Sequence, residues 1–171
     1  QYGASKIFPE AWEKFLEPIP ENERNSLINA YHRIFLGDDE NKKLEAAIAW
    51  STWEGSTSSM SYKPEMVSSF SNPKFALAFA LIENHYFMNL GFLENEDQLI
   101  KSSSIDKIRH IPAKIIQGRY DMICPVETAW ELSKNWQEAE LIIAPSSGHS
   151  AFEKEITHHL IAATNQFSKH V

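Results

Sequence analysis

The 171 residues are 43% hydrophobic and 12% aromatic, enough to bury a core of ordinary size and too apolar for a disordered chain. With 16 basic and 23 acidic residues the formal charge is -7, so there is no basic stripe for a phosphate backbone and no nucleic-acid partner is expected. A single cysteine, Cys124, excludes an internal disulfide, and the opening Gln1-Tyr-Gly-Ala-Ser has neither an initiator methionine nor a secretion signal. The chain therefore reads as cytoplasmic and as beginning at an internal cut.

Pro9 begins a short helical pattern through Trp12, Phe15 and Leu16, and Pro20 a longer one with Leu27, Ile28, Tyr31, Ile34 and Phe35 on one face, stopped by Gly37. Asp38 or Asp39 caps a third helix, whose apolar positions Leu44, Ala47 and Ile48 lead to Trp50 and Trp53 before Gly55, so that Glu54 falls at a helix end. The serine-rich stretch from Ser56 to Ser71 has no sustained period and reads as a loop or a broken helix. Asn72-Pro73 caps a helix that is apolar nearly all round, which predicts that protein surrounds it. The apolar run from Phe75 to Leu93 contains Glu83, Asn84, His85 and Asn89, so a buried helix is expected there and no membrane span.

From Ile105 the pattern changes. Ala113 to Gln117 and Glu140 to Ala144 read as strands, joined by a helix from Val126 to Trp136, and a crossover of that length predicts parallel pairing. Phe152 to Phe167 supplies a closing helix. The chain divides near residue 100 into a helical part and an α/β part.

In open parallel sheets the working residues lie just beyond the C-terminal strand ends, and here both ends bear a titratable group, Asp121 and His149. Alone, Asp121 reads as a turn residue accepting backbone hydrogen bonds. Together, acid before histidine at successive strand ends is the chain order of an α/β-hydrolase triad. Its nucleophile is missing, because no two of the six glycines bracket a serine as Gly-x-Ser-x-Gly. Glu83, set among Ala78-Phe-Ala-Leu-Ile and Tyr86-Phe-Met, requires a partner or a ligand, and Arg119 is one candidate partner.

Phe8-Pro-Glu-Ala-Trp-Glu, Ile19-Pro-Glu-Asn-Glu-Arg, Ala30-Tyr-His, Glu45-Ala-Ala, Trp50-Ser-Thr-Trp-Glu, Ile82-Glu-Asn-His-Tyr-Phe, Gly118-Arg-Tyr-Asp and Gly148-His-Ser follow one another along the chain. In these segments it resembles the proline iminopeptidases, serine peptidases of the α/β-hydrolase type that remove an N-terminal proline from peptides. The resemblance implies an α/β fold, the C-terminal part of an α/β-hydrolase with an inserted helical cap: residues 1–100 most of the cap, residues 101–171 the end of the hydrolase domain. It implies Asp121 and His149 as catalytic acid and base, with the serine upstream of Gln1. Glu54 and Glu83 match two cap glutamates that meet the substrate's amino terminus. A pair of carboxylates offsets the desolvation of a prolyl ammonium and rejects blocked ends. Trp50, Trp53, Tyr86 and Phe87 are available to wall the ring. Cys124 would lie beside the active site without acting as nucleophile. Lys154 departs from the family's proline near the histidine loop and alters no role.

No metal or cofactor is expected; His158 and His159 lack ligand spacing and read as surface residues. The expected partners are a peptide with a free N-terminal proline and the missing N-terminal half, and the fragment is expected to self-associate through its strand edges or to be partly disordered after residue 100. Its other readings are an aminopeptidase of broader specificity or an esterase on the same scaffold, and a truncated, non-catalytic binding module.

Overall fold

The computed structural model describes residues 3–95 and 97–169; Gln1 and Tyr2, at the supposed internal cut, lie outside them. Two compact units result. The first runs up to Thr57 and resumes over Tyr62–Leu93; the second comprises Ser58–Ser61 and the described residues from Glu94 on.

The first unit is helical: α1 (Ala4–Ile7), α2 (Pro9–Leu16), α3 (Leu27–Leu36), α4 (Glu40–Thr57), α5 (Pro64–Phe70) and α6 (Pro73–Met88). Pro20 opens a 3₁₀ turn over Glu21–Ser26 ahead of α3, and Gly37 closes α3. Asp39 starts α4 by accepting Lys42 N at 3.1 Å. Asn72 starts α6, its side-chain oxygen accepting Lys74 N at 3.1 Å and Phe75 N at 3.2 Å.

The core of this unit is aromatic. Phe15 stacks on Tyr31 with centroids 4.9 Å apart, and Trp50 meets Tyr31 edge-on at 5.0 Å. Tyr31 is fully buried and its hydroxyl donates to Phe15 O, while burial pushes the phenol's pKa up. Buried Asn84 joins α6 to α3: its amide donates to Ile28 O at 3.1 Å and its oxygen lies 2.8 Å from His32 Nδ1. That bonding explains a polar residue amid an apolar run.

Two expectations are corrected. Gly55 does not end its helix; α4 continues to Thr57, and a Cβ at Gly55 would lie 2.8 Å from Phe70 Cβ and Cγ. The glycine costs ~1 kcal/mol of helix propensity but admits α5, and Ser51 Oγ donates to Phe70 O at 2.7 Å beside it. Second, α6 is not covered all round. Its fully buried positions are Ala76, Ala80 and Asn84, one line at four-residue spacing, while Phe75, Ile82, Tyr86 and Phe87 are exposed within this chain. Small residues along that line let α6 approach its neighbours closely. After α6, Leu90, Gly91 and Phe92 adopt left-handed backbone with φ of 51°, 63° and 61°.

The second unit contains α7 (Ser102–Ile105), β1 (Ala113–Gly118), α8 (Val126–Asn135), β2 (Ala139–Ala144) and α9 (Lys154–Phe167). The strands pair in parallel from Ala113↔Ala139 to Gly118↔Ala144, with α8 as the crossover. Among the described residues the sheet has these two strands. Both end together, which brings the loops following them side by side. No helix among the described residues is long and apolar enough to cross a membrane.

Candidate active site

The loops after β1 and β2 are knitted by backbone bonds: Arg119 N donates to Ala144 O and Tyr120 N to Ser147 O, both at 2.9 Å. A Cβ on Gly118 would lie 2.0 Å from Gly148 O and 2.6 Å from Ser147 O. Only glycine permits that approach, so Gly118 sets how near the histidine loop comes to the acid loop.

Asp121 is buried, and every side-chain oxygen is engaged. Oδ1 accepts Ile123 N at 3.0 Å and Cys124 N at 2.8 Å, closing the turn expected of an aspartate there. Oδ2 accepts Gln117 Nε2 at 2.8 Å and lies 3.0 Å from His149 Nδ1. A proton on Nδ1 satisfies Oδ2 and leaves Nε2 as the reactive nitrogen of the neutral ring. The ring is about one-third exposed, its side-chain accessibility 36% against 5% for Asp121. Gln117 was not singled out in the sequence; its position four residues before Asp121, at the end of β1, was the available signal.

The electrostatics favour charge on both partners. The hydrogen bond that His149 makes to the Asp121 carboxylate, and then the neighbouring Cys124, pull His149 up from 6.5 to about 10, against the downward effect of burial. Burial pushes Asp121 up, but His149 and the amides of Cys124 and Ile123 outweigh it and hold the carboxyl below its ordinary value. His149's raised pKa contributes stability that is complete below 6.5 and fades as pH rises toward about 10. Asp121's lowered pKa contributes stability that is complete above 3.8 and is lost as pH falls through the depressed value. Asp121→Asn should therefore bring the His149 titration, followed by NMR of the ring nitrogens, down from about 10 toward 6.5. The variant's loss of urea stability should be greatest between pH 4 and 6.5 and shrink toward pH 10. An unmoved His149 midpoint would contradict the pairing.

Glu54 and Glu83 belong to the first unit. Trp50 Nε1 donates to Glu83 Oε2 at 2.6 Å, joining α4 to α6, and Glu54 stands one turn beyond Trp50 on α4. Of the aromatic residues available for a ring, Trp50 lies in the core and Trp53 packs edge-on against Trp12 at 5.2 Å; Tyr86 and Phe87 are exposed. Cys124 is an exposed free thiol whose backbone N–H donates to Asp121 Oδ1, and its proximity contributes to the raised pKa of His149. Among the described residues no group of three or more histidine, cysteine, aspartate or glutamate side chains is arranged to hold a metal ion.

A sequence model of the α/β hydrolase fold family matches residues 1–156. The chain belongs to that family. It is 50% identical to a proline iminopeptidase of Xylella fastidiosa over 167 residues, 98% of this chain and 53% of the relative. A proline iminopeptidase of Arabidopsis thaliana is 47% identical over 96% of this chain and 43% of its own length. One of Neisseria gonorrhoeae is 45% identical over 94% of this chain and 50% of its own. The chain thus spans about half the length of the curated relatives it matches.

Proposed function

We propose that this chain supplies the acid, the base and the amine-binding carboxylates of a serine aminopeptidase that releases N-terminal proline. The observation that carries the reading is the Nδ1 to Oδ2 contact of 3.0 Å between His149 and Asp121 at the ends of adjacent parallel strands, in a chain about half identical to proline iminopeptidases. A serine from outside these residues attacks the prolyl carbonyl, His149 Nε2 takes its proton and returns it to the leaving amine, and Asp121 keeps the ring in the required tautomer. Base action needs the neutral imidazole. Covering the ring with substrate and the remainder of the protein acts in that direction, as burial already does.

In this reading residues 1–100 are a cap and 101–171 the end of the hydrolase domain. Glu54 and Glu83 together meet the secondary ammonium of proline, and Cys124 neighbours the histidine without attacking substrate. Residues 1–171 alone are inactive, and the unpaired edges of the two-stranded sheet make them self-associate. The setting is cytoplasmic.

The experiment compares prolyl, alanyl and N-blocked prolyl arylamides on the whole protein and on residues 1–171 alone. The reading expects saturable turnover of the free prolyl substrate by the whole protein and none by the shorter chain. Equal rates on blocked and free substrates would replace it with an esterase-like hydrolase, and no turnover by the whole protein with a binding role.

A further inference from the structure

We propose that Ser58–Ser61 is a strap that positions His149, and that Glu153 is the residue that locks it. These four residues interrupt the helical unit and belong to the second one. Ser58 O accepts both His149 N, at 2.9 Å, and Ser150 N, at 2.8 Å. The buried Glu153 carboxylate spans the other side: Oε1 accepts Met60 N at 2.8 Å and Oε2 accepts Gly148 N at 2.9 Å. Three of the four bonds thus fall on His149 and its two neighbours, and the fourth ties Glu153 to the strap at Met60. A Cβ at Gly148 would lie 2.9 Å from Met60 N and 3.2 Å from Ser58 O, so the strap backbone rests directly on the turn. A carboxylate withdrawn from water is costly unless bonded, and here one side chain satisfies two amides that are far apart in sequence.

Glu153 is a positioning residue, and its catalytic meaning rests on the peptidase reading, whereas the geometry does not. Neighbouring Glu155 is the contrast: its Oε2 accepts Ser146 N at 2.9 Å and Ser147 Oγ at 3.2 Å, both ahead of Gly148.

The test follows the His149 ring by NMR in the whole protein without substrate, then kcat and KM, in Glu153→Gln, Met60→Pro and Glu155→Gln. Glu153→Gln turns one acceptor into a donor facing an N–H. Met60→Pro removes the strap's N–H and no charge, and the Met60 side chain is exposed. Both should lower the His149 midpoint from about 10 by loosening its contact with Asp121, and both should lower kcat by about 10²-fold, the cost of a misplacement near 1 Å, with KM little changed. Glu155→Gln should change stability and leave the midpoint in place. A His149 midpoint unmoved in Met60→Pro overturns the proposal, as does an equal shift in Glu155→Gln. If Glu153→Gln does not fold, Met60→Pro alone decides. The ring titration is read without substrate, so a protein inactive on prolyl arylamides removes the peptidase reading and still tests the strap.

Discussion

Asp121→Asn in the whole protein should lower turnover of a free N-terminal prolyl substrate by about 10⁴ while leaving the fold nearly intact. Four donors converge on this carboxylate. Asparagine's oxygen still accepts the amides of Ile123 and Cys124, but its NH₂ then faces the Gln117 amide and His149 Nδ1. The imidazole relieves that clash by moving its proton to Nε2, where it blocks proton abstraction from a nucleophile. Near pH 10, where the charge pairing no longer contributes, the fold should lose about 1 to 3 kcal/mol, the cost of leaving a buried donor unpaired, and more than that below pH 6.5. Steady-state kinetics beside urea unfolding separate the two effects. A loss of turnover below tenfold would reassign Asp121 as a turn residue.

Glu83→Gln should cost about 2 to 5 kcal/mol in kcat/KM on the free prolyl substrate, the range for breaking a charge pair withdrawn from water. Glutamine keeps an oxygen for Trp50 Nε1, whose 2.6 Å bond ties α4 to α6. What disappears is the negative charge that the proposed role sets against the ammonium. Turnover of a neutral ester by the same enzyme should fall much less, since that substrate brings no cation. Equal losses on both substrates would make Glu83 a support for the packing of α4 and α6, and amine recognition would pass to Glu54.

The sequence by itself determined what local chemistry controls. Pro9, Asp39, Asn72 and Gly37 start or stop helices because each acts on backbone groups within a few residues of itself. Two apolar runs separated by a helical crossover implied parallel strands, and parallel strands of equal length bring the residues after them together; so the contact of Asp121 with His149 was legible from spacing. Tertiary structure decided whatever depends on a neighbour far along the chain. Gly55 looked like a terminator because the partner that demands its small size, Phe70, lies on another helix. The apolar circumference of α6 did not show that Ala76, Ala80 and Asn84 would be the buried line, since that choice depends on which helices pack there. Within the serine-rich segment, Ser58–Ser61 showed no period because its order comes from Glu153 and the His149 turn, more than eighty residues downstream. Periodicity reports the side on which a segment will be buried, whereas pairing between distant polar groups leaves no local pattern and exists only once the chain has folded.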